Sequence, residues 1–356
     1  MPYNKLNGGI YMRKFFITAL SILLVFLIAS AAYIYVLLDQ IEDNSLADSS
    51  DSSDSSTPPG KLTPEDLGIS EEAPKASETG VTNILLFGLD SRAKNSVSRS
   101  DTIMIATIDK KNQAIKLTSL MRDMYVPIPG RKNNRINTAY IFGGPALAIK
   151  TVNTNFDLDI RYYVTVDFFG LEKIIDQVGG VTIDVKEKEI PYINSCIKEL
   201  NGLNKDTKPV ALLTESGLQT LNGRQAVAYA RVRKVGNADF ERTERQRRVL
   251  AELFKKVKTI NPLKLPGLVT TMLPYVETNL PKTEILSLGI SVLGFKNKDI
   301  IQYRLPVDGT FTSKRIDGMA VLVPDLEKNK TLLHDFIYGD GVNNDDTGSE
   351  SVAAQQ

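Results

Sequence analysis

The sequence has no tryptophan, one cysteine (Cys196) and one histidine (His334). A single cysteine excludes an internal disulfide and a cysteine-based zinc cage. A single histidine, near the C-terminus and distant in sequence from Cys196, argues against Ser-His-Asp and Cys-His nucleophiles and against a multi-histidine metal centre. Cys196 is therefore read as a free thiol without a catalytic role. An excess of charge is missing too: 43 basic residues face 42 acidic ones, so nothing draws the chain to nucleic acid in general. There is no P-loop or dinucleotide fingerprint, since Gly143-Gly144 lacks the spacing. What remains for chemistry is carboxylates, arginines and a hard metal.

Residues 15–38 carry no charge, and about 20 apolar residues cross a bilayer. Lys5, Arg13 and Lys14 precede this run; Asp39, Glu42 and Asp43 follow it. The positive flank stays cytoplasmic, which predicts a stub over 1–14, a signal anchor over 15–38 and everything later outside the cell. A cleaved signal peptide ending near Ala29-Ser-Ala31 is the rival, but the apolar run continues to Leu38. Residues 39–80, with Asp-Ser repeats and Pro58-Pro59, are expected to form a disordered acidic stalk, and 341–356 a disordered tail. That leaves one extracellular domain over 81–340.

Within it, Val81–Leu89 is a near-continuous apolar run, as expected of a strand covered on both faces, and it ends in Asp90-Ser-Arg92. Arg99-Ser-Asp101 leads into Thr102–Ile108, and the turn formers 109–112 separate that run from Ala114–Leu120. A hairpin there puts Asp101 and Arg122 at one open end, which Asp90 can join. Asp90 and Asp101 suit Mg²⁺ or Mn²⁺ alongside phosphate oxygens; the other reading is a turn residue and an ion-pair partner of Arg99 or Arg122. Arg122-Asp123 reads equally as a structural ion pair. Further on, Pro145 opens a helix through Phe156, 161–166 is a strand, Asp167 caps a helix to about Val178, and Val181–Val185 is a strand. Short helices over 261–296 and a strand at Ile300–Leu305 complete an α/β pattern with a mixed sheet.

The sharpest signal is the stretch 231–246. A short helix from Leu221 to Tyr229 delivers Arg231 and Arg233, which share one side of an extended segment. Asp239 then caps a helix with the apolar rhythm Val249, Leu250, Leu253, Val257. At 100° per residue, Arg242 and Gln246 fall within about 60° of Leu253 and Val257 and so point inward, whereas Arg247 and Arg248 point away as a solvated face. An inward guanidinium needs a partner. Arg231, Arg233 and Arg242 converging on one pocket suit a phosphate or pyrophosphate; a salt-bridge network with Glu241 and Glu244 is the alternative.

Taken together, the motifs resemble the LytR-CpsA-Psr (LCP) family of Gram-positive cell-envelope proteins. The matching pieces are 83–92, Arg99-Ser-Asp101-Thr, Arg122-Asp-Met-Tyr-Val-Pro-Ile-Pro129, Arg135-Ile-Asn137-Thr-Ala-Tyr140, Gly179–Val185, Ala230–Arg233 and Asp239–Gln246. Met121 stands where proline is expected and Glu241 where a small residue is usual. The resemblance implies a single LCP-type α-β-α domain on one transmembrane helix, a single-pass type II protein of the cell membrane. It implies a phosphotransferase that moves a glycopolymer (teichoic acid, capsular or other wall polysaccharide) from a polyprenyl-pyrophosphate carrier to a peptidoglycan sugar hydroxyl. Asp90 and Asp101 would hold Mg²⁺ or Mn²⁺. Arg122, Arg231, Arg233 and Arg242 would neutralise the pyrophosphate, with Arg99 and Gln246 as auxiliary contacts; the alternative role for one of the aspartates is general base. The lipid tail would lie between sheet and helices, lined by Phe142–Phe156, Phe168–Val178 and Leu263–Leu293. A non-catalytic prenyl-phosphate-binding envelope regulator and a lipid pyrophosphatase at the same site are the competing functions.

Overall fold

Strand β1 (Val81–Leu89) is the spine of a six-stranded mixed sheet. The computed structural model describes residues 62–89, 100–204, 208–236, 238–260, 268, 271–296 and 299–339. β1 pairs antiparallel with β2 (Ser100–Asp109), which pairs antiparallel with β3 (Ala114–Leu120), so the expected hairpin forms. On its other side β1 runs parallel to β6 (Tyr162–Asp167). β10 (Ile300–Leu305) joins β3 in parallel, and the short β9 (Glu277–Thr278) closes the far edge beside β6. The ribbons β4 (Tyr125–Val126) with β5 (Asn134–Arg135), β7 (Val181–Val185) with β8 (Gly217–Leu221), and β11 (Phe311–Ile316) with β12 (Met319–Pro324) lie outside this sheet.

Both faces of the sheet are covered, which is why β1 reads as unbroken apolar sequence. Val81, Leu85 and Phe87 project into a core shared with α1 (Thr138–Phe156) and α7 (Leu326–Tyr338). Ile84 and Leu86 project the other way, under α6 (Lys282–Gly294). Each large side chain so buried contributes about 1.5–3 kcal/mol. A third cluster joins α2 (Phe168–Gln177), α3 (Ile190–Leu203), α4 (Gly223–Arg231), the β7–β8 ribbon and α5 (Ala238–Thr259).

Several local expectations are met. Asp167 caps α2 by accepting a hydrogen bond from the Gly170 amide, and the short helix expected after Leu221 forms as α4, where Asn222 turns out to be the cap through the Gln225 amide. Gly223 is required where α4 touches α2, because a Cβ there would stand 2.0 Å from the Glu172 carbonyl oxygen. Others need correction. Residues 62–80 do not behave as stalk: Leu67 is buried in the core, and its carbonyl accepts from the Asn153 amide at 2.9 Å. α1 starts at Thr138 rather than Pro145, with non-helical angles at Gly143 and Gly144. The anchor at 15–38, the stub, the tail at 341–356 and residues 263–267 lie outside the described residues. Among those described, no helix is long and apolar enough to cross a membrane.

Candidate active site

The residues of interest collect where β2 begins, β3 ends, α4 ends and α5 begins. Asp101 sits at an irregularity of the β1–β2 ladder: Gly88 pairs with Thr102 but Leu89 pairs with Ser100, so Asp101 is the extra residue of a bulge. Bulges of this kind re-aim a side chain at a sheet edge. Beside the bulge Gly88 makes room for the Thr102 side chain, since a Cβ would meet Thr102 Cβ at 2.9 Å. Across the open end of the hairpin, Arg122 Nη1 donates to Asp101 Oδ1 at 2.6 Å. Arg233 Nη2 donates to the other oxygen, Oδ2, at 2.9 Å.

Helix α5 supplies the next layer. Asp239 lies in its first turn rather than at the N-cap. There it accepts from Arg122 Nη2 at 3.3 Å and lies 3.1 Å from Arg242 Nη2. Arg242 points inward as its helical phase requires and is 2% exposed. Its Nε and Nη1 are buried without a hydrogen-bond acceptor among the described residues. Burial, reinforced by the neighbouring Arg122, pulls its pKa down to about 10. Burial works against the Arg122 charge as well, but Asp239, Asp101 and Asp123 outweigh it and hold that pKa above the usual value.

Arg231, Arg233, Arg242, Gln246 and Asp101 line one cavity of about 330 Å³. Arg231, the last residue of α4, is held by Glu199 Oε1 at 3.2 Å and lies 4.9 Å over the Phe168 ring. The opposite wall is α3, which contributes Tyr192, Ser195, Cys196 and Glu199. Sequence reasoning passed over these, although 192, 195, 196 and 199 have the i, i+3, i+4, i+7 spacing of one helical face. Burial pushes the Cys196 thiol pKa up, as suits an inert thiol despite its place in the wall. Asp90 and Arg99 lie outside the described residues.

Arg122 and Asp123 are an ion pair at 3.5 Å, although Asp101 and Asp239 stand closer to the guanidinium. Glu241 pairs with Arg245 at 2.7 Å and Glu244 with Arg248 at 2.6 Å. Arg247 is no solvated face: it is 9% exposed and donates to Gln302 of β10 at 3.3 Å, because α5 also packs beside the β3–β10 edge.

No group of three or more His, Cys, Asp or Glu suited to a metal occurs among the described residues. Asp101 offers the hard oxygen donor that Mg²⁺ or Mn²⁺ takes, at the cavity wall. The half-exposed Arg233 is the partner it would exchange for an ion.

A model of the LytR_cpsA_psr family matches residues 40–335. The chain belongs to this family. It is 33% identical over 266 residues to the regulatory protein MsrR of Staphylococcus aureus, covering 73% of this chain and 76% of MsrR. It is 32% identical over 262 residues to the polyisoprenyl-teichoic acid–peptidoglycan teichoic acid transferase TagU of Bacillus mycoides, covering 72% of this chain and 78% of TagU. TagT bound to LI-WTA superposes with a TM-score of 0.59 at 27% identity, over 75% of this chain and 94% of TagT. TagT with bound octaprenyl pyrophosphate lipid gives 0.54 at 26% identity, over 72% and 90%.

Proposed function

We propose that this chain is a phosphotransferase that moves a glycopolymer from a polyprenyl-pyrophosphate carrier to a peptidoglycan sugar hydroxyl, leaving a phosphodiester link. The observation that carries this reading is Arg242, buried with two guanidinium donors that find no acceptor among the described residues, at the wall of a cavity that Arg231 and Arg233 also line. A diphosphate has the oxygens to satisfy them, and buried charge-assisted hydrogen bonds are the strong ones. The relatives support the substrate class, since TagU is named a teichoic acid transferase and TagT has been solved with octaprenyl pyrophosphate.

In this reading Arg231, Arg233 and Arg242 bind the diphosphate, with Gln246 and Arg99 as auxiliary contacts. Arg122, held between Asp101 and Asp239, stabilises the charge that moves onto the leaving prenyl phosphate. Mg²⁺ or Mn²⁺, held by Asp90 and Asp101, would supply further positive charge there. The prenyl tail lies against the apolar side chains beneath α6 and beside α1 and α2. Residues 15–38 anchor the chain in the membrane with the domain outside a Gram-positive cell, 1–14 inside and 341–356 as a tail.

The test is reconstitution of the full chain in lipid vesicles with a synthetic prenyl-pyrophosphate glycan, a peptidoglycan oligomer and Mg²⁺. Glycan linked to peptidoglycan is expected, lost with EDTA and at least 100-fold reduced in Arg231→Ala. Unlinked glycan phosphate as the main product would make the protein a pyrophosphatase instead. Donor binding without any product would leave a carrier or regulator. Mn²⁺ binding read by electron paramagnetic resonance, and weakened in Asp101→Asn, checks the metal independently of turnover.

A further inference from the structure

A second cavity, of about 400 Å³, has in its wall Asp123 and Asp239, the carboxylate partners of Arg122 that do not line the first. It opens between the start of α5 and the β11–β12 ribbon, and Asp123, Asp239, Phe240, Ser313, Lys314 and Arg315 line it. The ribbon is fixed in place. Leu322 N donates to the Asp123 carbonyl at 3.0 Å, Arg135 Nη2 donates to the Ala320 carbonyl at 2.6 Å, and Phe240 stacks on Phe311 at 5.9 Å. One ion-pair cluster therefore borders both cavities. Arg122 reaches Asp101 in the wall of the first, and Asp123 and Asp239 in the wall of the second.

Phosphoryl transfer requires attacking and leaving oxygens roughly in line on opposite sides of phosphorus. A diphosphate gripped from the first cavity therefore needs its acceptor to approach from the far side of the arginines. The second cavity, bordered by the remaining carboxylates of the same cluster, is the candidate for that approach, and its chemistry differs from the first. Its two carboxylates accept hydrogen bonds from hydroxyls. Its apolar surface, which includes the buried Met121 and Val321, suits the C–H faces of a sugar ring, and exposed Lys314 and Arg315 suit carboxylate substituents at the rim.

We infer that this second cavity is the acceptor subsite, holding a hydroxyl-bearing saccharide with anionic substituents and presenting one hydroxyl to the Asp123–Asp239 pair. This rests on the phosphotransferase reading above. In the step, the hydroxyl oxygen bonds to the glycan-side phosphorus and its proton passes to the carboxylate pair. The bond from that phosphorus to the bridging oxygen breaks, and its electrons leave on prenyl phosphate. Burial holds Asp123 above the ordinary carboxylate value, whereas Arg242 and Arg122 outweigh burial and hold Asp239 below it, which suits Asp239 to take the proton as an ionised carboxylate.

Ser313→Trp fills the cavity from an exposed position, and the double variant Lys314→Glu/Arg315→Glu reverses charge at its rim. Both are made in the full chain, with circular dichroism checking the fold. Two titrations are run on each: a peptidoglycan tetrasaccharide bearing stem peptides, and prenyl pyrophosphate as donor probe. Saccharide affinity, and the acceptor KM where turnover is seen, should weaken at least tenfold in both variants, with donor affinity changed less than twofold. An uncharged chitin tetrasaccharide should bind the wild type more weakly and ignore the charge reversal. Unchanged saccharide binding in both variants, equal loss of donor binding, or no saccharide binding to the wild type would each overturn the inference. Saccharide binding lost in Ser313→Trp while the wild type makes no linked product would uphold the subsite and sink the transferase reading instead.

Discussion

Two arginines three residues apart on α5 are both buried and are treated in opposite ways. Arg245, 3% exposed, finds an acceptor for each of its three nitrogens within the protein. Its Nε donates to Glu189 at 2.8 Å, its Nη2 to Glu241 at 2.7 Å and its Nη1 to the Val232 carbonyl at 3.3 Å. Arg242 keeps one contact, with Asp239, while its Nε and Nη1 find no acceptor among the described residues. A buried donor left unmade costs about 1–3 kcal/mol, so a fold selected only for stability would not arrange Arg242 in this way. The difference separates a scaffold from a binding group. Arg245 braces the peptide that carries Arg231 and Arg233 by gripping the carbonyl between them, and Arg242 stands ready for an anion brought from outside.

The comparison breaks most readily at Arg245. Arg245→Ala leaves Glu189, itself buried, without its cation, and should lower unfolding free energy by about 3–5 kcal/mol in urea titrations. Arg242→Ala should do the reverse of that pattern. Asp239 keeps Arg122, so stability should move by less than about 1 kcal/mol, while affinity for prenyl pyrophosphate falls at least tenfold, about 1.4 kcal/mol or more. If Arg242→Ala unfolds the domain, or leaves diphosphate affinity intact, the assignment of the two roles is wrong. Adding diphosphate should also raise the wild-type Tm and leave that of Arg242→Ala nearly unmoved.

Helical phase was enough to aim Arg242 inward, and the turn at 109–112 was enough to bring Asp101 to Arg122, because both follow from local periodicity. What local periodicity cannot carry is where a second neighbour packs. Arg247 lies off the apolar stripe of α5, yet β10 reaches it through Gln302, from 55 residues away. Asp239 looks like a cap in sequence and becomes an ion partner because β3 ends beside it with Arg122. Residues 62–80 have a stalk-like composition, but a few apolar side chains such as Leu67 and Ala73 suffice to hold them against the domain. The α3 wall went unread for a different reason: its cavity-facing residues are a tyrosine, a serine, a cysteine and a glutamate, a set with no motif of its own.

The finest distinction lies within the carboxylate pair, and its expected effects are the smallest. Burial holds Asp123 above its ordinary pKa of 3.8 despite Arg122 and Arg135. For Asp239 burial acts in the same direction, but Arg242 and Arg122 outweigh it and the pKa falls below 3.8. The two should therefore respond to pH with opposite signs. Between 3.8 and the raised pKa of Asp123, the folded state keeps a proton that the unfolded chain has lost, so this group's contribution to stability declines as pH rises through that window. Asp123→Asn should accordingly gain on the wild type between pH 3 and pH 7. Asp239 contributes stability that is complete above 3.8 and lost as pH falls through its depressed value, so Asp239→Asn should lose ground over the same interval. Urea unfolding of both variants at the two pH values decides it. Differences from wild type that move in the same direction would show that the surroundings do not push the two carboxylates apart.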